Sequence, residues 1–277
     1  YSINESIQKT PPVSLPAYDE KTGWSLTGIW IIQNFRGRNQ QLSVGGSIGA
    51  RDSYGIGFSD PWMFGNHVSL DLGLGRTFFE HLFLDRSVAS SGFELELGLW
   101  FGEHVKTMIG TGLEQKKFSN PLDTLSFSYI APQWSIAYDT RDIFWNPGQG
   151  FHFLHFFYWK LDRTNEEKSA LIWRQSYSTF ISLGSNPKKL VLAMNITAHR
   201  RWGGKHDVWL KYFGGSYSVR GWPLPDRGSY SPSRQSFRFG HEYVHASLEL
   251  RKDIIPKFAT AYNIETGLSV VGFVDAG

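Results

Sequence analysis

The sequence predicts an all-β fold, an antiparallel β-barrel that crosses a membrane, and three observations predict it. Long stretches alternate apolar and polar residues with period two, aromatic residues gather near their ends, and glycines and carboxylates occupy the face opposite the apolar one. The composition permits this reading. Of 277 residues 41% are hydrophobic and 16% aromatic, with 29 glycines and no cysteine, and the mean hydropathy is -0.29. No stretch approaches the ~20 consecutive apolar residues of a membrane helix, whereas a barrel spreads its apolar residues over alternate positions and keeps hydropathy low. A formal net charge of +3 is too small to point to nucleic acid. The lack of cysteine removes disulfides and zinc-thiolate sites and fits a bacterial envelope protein.

The clearest element covers 68–78. Val68, Leu70, Leu72, Leu74 and Phe78 share one face, with Arg76 the exception, and Ser69, Asp71, Gly73, Gly75 and Thr77 share the other. In the next, Phe93, Leu95, Leu97, Leu99 and Phe101 oppose Glu94, Glu96, Gly98 and Gly102, broken only by Trp100. Two glutamates cannot face lipid, so the polar side is the lumen. The same pattern recurs at 24–33, 41–50, 53–60, 105–118, 125–138, 151–162, 170–183, 189–202, 242–251 and 267–276, which makes about a dozen strands spaced as in a meander. A soluble sandwich also alternates. Against it stand the spanning length and the placing of Trp24, Trp62, Phe78, Phe79, Trp100, Phe101, Trp145, Phe151, Trp159 and Trp202 at strand ends or in adjoining turns. Gly45, Gly49, Gly73, Gly75, Gly98, Gly110 and Gly112 are expected where side chains would crowd a curved wall.

Four motifs in order resemble those of the outer-membrane protein assembly and translocation superfamily, the BamA-type barrels of the bacterial surface antigen family. Val219-Arg220-Gly221-Trp222 is similar to the family's Val-Arg-Gly-aromatic signature on a long extracellular loop folded back into the lumen. Phe273-Val274-Asp275-Ala276-Gly277 matches its Phe-x-Asp-x-Gly strand motif. Asp139, Arg141 and Asp142, followed by Pro147 and Gly150, resemble a turn between two mid-barrel strands. Phe58-Ser59-Asp60-Pro61-Trp62 resembles an early strand end. The resemblance implies a BamA-type transmembrane β-barrel of about sixteen strands when complete, of which about thirteen are counted here, so further strands are expected downstream. Residues 1–10 are expected to end a preceding periplasmic POTRA-like domain and 11–277 to form the barrel, with the loop at 203–241 lumen-inserted and a basic turn at 186–189 periplasmic.

Alternation places the motif's partners. Val244, Ala246, Leu248 and Leu250 alternate with His245, Ser247, Glu249 and Arg251, and Asp275 is in phase with Ser269, so Glu249 and Asp275 both face the lumen. The resemblance implies that Arg220 reaches these two carboxylates and anchors the loop through charge-assisted hydrogen bonds. Val13, Leu15, Pro16 and Tyr18 align with the first barrel strand, whose prolines Pro11, Pro12 and Pro16 lack donors. In the family that strand forms one side of a seam that opens laterally.

Two catalytic-looking strings are set aside. His241-Glu242-Tyr243-Val244-His245 fits a zinc-protease pattern that needs a helix; on the strand expected here the histidines would stand ~13 Å apart. Gly45-Gly46-Ser47-Ile48-Gly49 fits a nucleophile-elbow string, but the alternation runs straight through the serine. Asp139 and Asp142 read as turn formers rather than an acid-base pair. No catalytic residue, metal or cofactor is expected. The resemblance implies an outer-membrane factor that folds and inserts β-barrel proteins, its partners being outer-membrane lipids, unfolded β-barrel clients and periplasmic accessory lipoproteins or chaperones. A translocation pore for a secreted partner, or the barrel anchor of a fused enzymatic domain, are the alternatives.

Overall fold

The computed structural model describes residues 8–9, 12–19, 23–49, 51–63, 67–144, 146–184, 190–215, 218–231, 238–259 and 265–277. Residues 1–6, Pro11, Trp145 and the turn at 186–189 lie outside them. The first half contains β1 (Gln8–Lys9), β2 (Val13–Asp19), β3 (Gly23–Phe35), β4 (Gln40–Gly49), β5 (Arg51–Asp60), β6 (Val68–Glu80), β7 (Ser87–Phe101) and β8 (Val105–Ser119). There follow β9 (Thr124–Ile130), β10 (Gln133–Asp139), β11 (Gly150–Asp162), β12 (Ala170–Leu183) and β13 (Leu190–Trp202). The long loop carries the short β14 (Lys211–Tyr212) and β15 (Phe239–Gly240), and β16 (Tyr243–Ala259) and β17 (Glu265–Ala276) close the series. Among the described residues no helix is long and apolar enough to cross a membrane. The segments form one antiparallel meander of 15 pieces, with β14 and β15 paired apart from it.

Two spans are broken. β9 and β10 both pair with β8 and β11, so they are halves of the single strand expected at 125–138. The break falls at Ala131-Pro132 because proline has no N–H for the ladder. Ala131 still exchanges backbone bonds with Gly112 at 2.9 and 3.2 Å, and the Pro132 carbonyl accepts from Trp159 at 2.9 Å, so the wall stays sealed across the gap. β1 and β2 lie on the same edge of β3, with Lys9 opposite Ile32 and Val13 opposite Ile29. The β1 side therefore carries one residue more than its partner between Lys9 and Val13. Gln8 and Lys9, in the segment expected to end a preceding domain, pair with β3.

Ladder partners share a face, so the register fixes what lines the concave side. Ile29, Gly45, Gly55, Gly75, Gly92 and Glu114 form one row across six strands. Beside it run Ser43, Gly57, Gly73, Glu94 and Gly112. Crowding explains some of these glycines: a Cβ on Gly75 would lie 3.2 Å from the Tyr54 carbonyl oxygen, and on Gly112 2.9 Å from that of Phe93. Gly73 differs from expectation, since nothing lies within 4 Å of its would-be Cβ. Glu94 and Glu96 turn inward together, both accepting from Gln133 Nε2, at 2.6 and 2.7 Å. Trp100, the exception to the β7 pattern, also faces inward, with Lys106 Nζ 5.4 Å from its ring centroid. The convex face exposes Leu74, Ile109, Ile196, Leu248 and Val274, apolar groups that lipid would cover.

The main buried cluster sits where the loop meets the wall. Val88, Phe118, Phe127 and Tyr129 from β7, β8 and β9 pack with Val208 of the loop. The barrel is thus filled by its own polypeptide at the loop end.

Candidate functional site

The loop after β13 crosses the concave face and is held at two walls. At the first, Arg220 meets β16 and β17. Its Nε donates to Asp275 Oδ2 at 2.8 Å and its Nη2 to Asp275 Oδ1 at 2.7 Å, a bidentate pair. Nη1 donates to Glu249 Oε1 at 2.5 Å, Nη2 also to Ser247 Oγ at 2.7 Å, and the backbone N–H of Arg220 to Asp275 at 2.9 Å. The guanidinium lies 3.8 Å from the Phe273 ring centroid, close enough for a cation–π contact. The Arg220 and Asp275 side chains are 23% and 2% exposed. Glu249 receives a second arginine, Arg251, whose Nε donates to Oε2 at 2.7 Å, so the two carboxylates serve two guanidinium groups.

The other motif residues prepare this contact. Val219 is buried and its carbonyl accepts from the Trp222 N–H at 3.3 Å, which tightens the tip. Gly221 has φ +89, a left-handed conformation that a side chain would strain. Trp222 packs under Arg238, whose guanidinium lies 5.6 Å away. Phe273 and Asp275 share one phase of β17, and Gly277 follows its last residue. Phe273 supports the Arg220 plane, Asp275 grips it, and a Cβ on Gly277 would come within 2.6 Å of the loop's Phe213. The strand motif is therefore a continuous bed for the loop.

The second wall has no counterpart in the sequence reading. Trp209, in the short 3-10 turn Asp207–Trp209, is ringed by three cations of the inner wall: Lys160 Nζ at 4.9 Å, Arg201 Cζ at 5.0 Å and Lys116 Nζ at 5.2 Å. Glu114 joins two of them, pairing with Lys160 at 2.5 Å and Lys116 at 3.6 Å. The edges of Phe118 and Phe127 meet the indole with centroids 5.2 and 5.1 Å away. Inward phase on β8, β11 and β13 could have flagged the cations, but their common target is a loop residue without periodicity. Farther along, Arg227 pairs with Glu80 and Asp85, each at 2.9 Å, an exposed contact of small energetic weight.

His81, in the loop between β6 and β7, holds this side too. Its Nδ1 accepts from the N–H of Phe83 and Leu84 at 3.4 and 3.3 Å, and the ring bonds the Val208 backbone. Burial pushes its pKa down to about 4, with Lys116 and Arg86 adding repulsion. Releasing the loop lifts part of that burial and lets the pKa rise towards the ordinary 6.5, whereas docked it stays at about 4. Docking is therefore fully retained above pH 6.5 and weakens as the pH falls towards 4. Limited proteolysis of the loop is expected to accelerate over that window, with a flatter profile in His81→Gln; identical profiles would contradict the linkage.

The turn motif folds on itself. Arg141 Nε and Nη2 donate to the two oxygens of Asp139 at 2.8 and 2.6 Å, while Asp142 Oδ1 accepts from the N–H of Ile143, Gly148 and Gln149 at 2.9, 2.8 and 3.3 Å. Pro147 and Gly150 lie in the same turn, and Gly150 has φ +107, its missing Cβ leaving room for the Thr140 carbonyl. At the early strand end, Asp60 Oδ1 caps the Trp62 N–H at 2.9 Å. His241 and Glu242 depart from expectation: they form a bend, and β16 begins at Tyr243. The bend lets Glu242 reach Arg200 at 3.4 Å and Lys205 at 3.7 Å. Among the described residues no group of His, Cys, Asp and Glu could hold a metal ion. Ser47 lies within β4 with its Oγ accepting from Thr27 at 3.1 Å.

At the sheet edge, β2 pairs with β3, Pro16 opposite Leu26 and Leu15 opposite Thr27. Val13 and Leu15 thus share the inward phase of Thr27 and Ile29, while Pro16 and Tyr18 share the outward phase of Trp24. The Tyr18 and Trp24 rings lie 5.3 Å apart.

Comparison with known proteins agrees with this architecture. No curated protein sequence matches the chain. Among solved structures it is similar to BamA from Haemophilus ducreyi lacking POTRA domains 1–3, with TM-score 0.70 and 19% identity over 98% of this chain and 57% of that one. It is also similar to CdiB from Escherichia coli, with TM-score 0.66 and 14% identity over 99% of this chain and 52% of that one. The chain therefore spans little more than half the length of these neighbours, and at such identities the likeness concerns the fold. A family model, described as the Omp85 superfamily domain, matches residues 34–277. Since that match takes in nearly the whole wall and the Arg220 loop, the chain belongs to the Omp85 superfamily.

Proposed function

We propose that the protein folds and inserts β-barrel proteins into the bacterial outer membrane, offering the edge at β2 to incoming strands. The observation that carries this reading is the loop fastened across the lumen at Arg220 and Trp209, which leaves the lumen occupied and the sheet edge as the accessible surface. Val13, Leu15, Pro16 and Tyr18 make that edge a weak partner, since Pro16 has no N–H to give. A donor-poor strand exchanges neighbours at lower cost than a fully bonded one. Arg220, Glu249 and Asp275 then keep the loop in place while the seam opens. The turn of Asp139, Arg141, Asp142, Pro147 and Gly150 caps a mid-barrel hairpin away from it. Outer-membrane lipids, unfolded β-barrel clients and periplasmic accessory lipoproteins or chaperones are the partners this role implies, and no step of it calls for a catalytic residue or a cofactor.

Passage of a secreted polypeptide through the lumen is the competing reading within the same superfamily. A photo-crosslinking amino acid placed at Tyr18, and separately at the inward-facing Thr197, discriminates the two in cells that make the full-length protein. Adducts with barrel clients at Tyr18 and none at Thr197 are expected. Adducts with a secreted polypeptide at Thr197 would overturn the proposal in favour of translocation.

A further inference from the structure

Above the Trp209 anchor lies a cavity of about 470 Å³ between the loop and the inner wall. Its charged lining is one-sided. Lys116, Lys160, Arg201 and Lys211 border it, and no carboxylate does. Glu114, beside the cavity, pairs with Lys160 and Lys116 and acts at longer range on Arg201, which leaves Lys211 without an anion among the described residues. Arg201 is only 2% exposed; its Nε donates to the Gly204 carbonyl at 3.1 Å and its guanidinium also meets the Tyr129 side chain, but its buried Nη2 has no well-placed hydrogen-bond partner. The buried Trp209 Nε1 has none either. Two orphaned donors at one site are costly. Water can satisfy an N–H, but it cannot neutralise a concentration of like charge in a partly enclosed space.

We propose that this cavity is a binding site for a small, water-soluble sugar phosphate. A phosphate monoester supplies what the lining lacks, two negative charges and oxygens that accept from Arg201 Nη2, Lys211 Nζ and Trp209 Nε1. The volume exceeds that of a bare phosphate and falls within the range of small-molecule sites. The remaining lining mixes aliphatic and aromatic side chains, and of these Tyr158 is part-exposed, a surface on which the apolar face of a sugar ring stacks. Because its wall residues Tyr158, Ile172 and Arg201 share the inward phase of the sheet, the wall separates it from a phospholipid in the surrounding bilayer. The site is independent of whether the barrel inserts or translocates its clients.

The test is titration calorimetry on the full-length protein in detergent micelles, with glucose 1-phosphate, inorganic phosphate and glucose as probes. Glucose 1-phosphate is expected to bind saturably and more weakly as salt is raised, inorganic phosphate about tenfold more weakly, and glucose not detectably. Lys211→Ala is expected to weaken binding about tenfold, one charge-assisted contact, and Lys211→Arg to retain it. Lys211 is exposed on a two-residue strand, so its substitution leaves the wall intact; Arg201→Gln, in preparations keeping the heat-modifiable mobility of a folded barrel, is the second variant and is expected to lose binding. Equal binding by wild type and Lys211→Ala, binding of glucose as tight as that of its phosphate, or competition by phosphatidylglycerol added to the micelles would each overturn the site. Inorganic phosphate binding as tightly as the sugar phosphate would overturn its assignment to a sugar.

Discussion

Arg220→Ala is expected to release the loop from β16 and β17, making it protease-sensitive and, on the function proposed above, impairing assembly of client barrels. The substitution removes four side-chain hydrogen bonds and strands Asp275, whose side chain is 2% exposed. Truncating one partner of a buried charged pair costs ~3 to 5 kcal/mol, most of it the penalty on the charge left behind. Asp275→Ala is expected to cost less than Arg220→Ala, because Arg220 keeps Glu249 and Ser247. The two effects are not additive: each single change destroys the bidentate contact, so the double variant is expected to be little worse than Arg220→Ala alone. Arg220→Lys rescues only in part, since an ammonium cannot present the planar fork that spans Asp275 while also reaching Glu249. The measurement is a double-mutant cycle, read by loop proteolysis and by survival of cells that depend on the variant. Strictly additive losses would mean that the two residues act separately, which is incompatible with the contact described here.

The wall was legible because its causes are local. Period-two alternation fixes which face meets lipid, and it does so residue by residue in β6 and β7. What escaped depends on backbone donors or on distant partners. The interruption at Pro132 follows from one missing N–H, and neighbouring strands bridge it with bonds that no local pattern announces. β16 runs on to Ala259, past the expected end at residue 251, through irregularities between Asp253 and Ile255 and between Ile255 and Phe258. Lys252, Asp253 and Pro256 make that stretch resemble a turn. The pairing of Lys211 with Gly240 joins residues across a loop of polar composition, where sequence periodicity carries no information.

The loop site divides the same way. Phase along β16 and β17 is enough to put Glu249 and Asp275 on the inner face, and Ser247 and Arg251 lie in that phase as well. Neither was assigned a part in the contact, because phase gives direction and not distance. The Trp209 anchor was invisible for a stronger reason. Its three cations come from three strands well separated in sequence, and only closure of the loop over the concave face brings an indole among them.

The lipid-facing and lumen-facing sides of the wall predict opposite outcomes for adjacent residues. Leu72 stands on the convex face between Phe58 and Leu95, away from both ends of β6, so an arginine there must bring its charge to water from well inside the hydrocarbon region. Leu72→Arg is expected to destabilise the barrel by ~2 to 4 kcal/mol. Gly73, its neighbour, faces the lumen between Gly57 and Glu94, and nothing lies within 4 Å of an added Cβ. A serine hydroxyl there reaches water or the Glu94 carboxylate, so Gly73→Ser is expected to be nearly neutral. Gly112→Ser supplies the internal contrast on the same inner face: its Cβ would meet the Phe93 carbonyl at 2.9 Å, and a measurable loss of stability is expected although the residue also faces water. Unfolding by denaturant in lipid vesicles orders the three variants. Leu72→Arg and Gly73→Ser tolerated equally would reverse the assignment of faces, and Gly112→Ser as mild as Gly73→Ser would show that the wall has more slack than the close backbone approach at Gly112 allows.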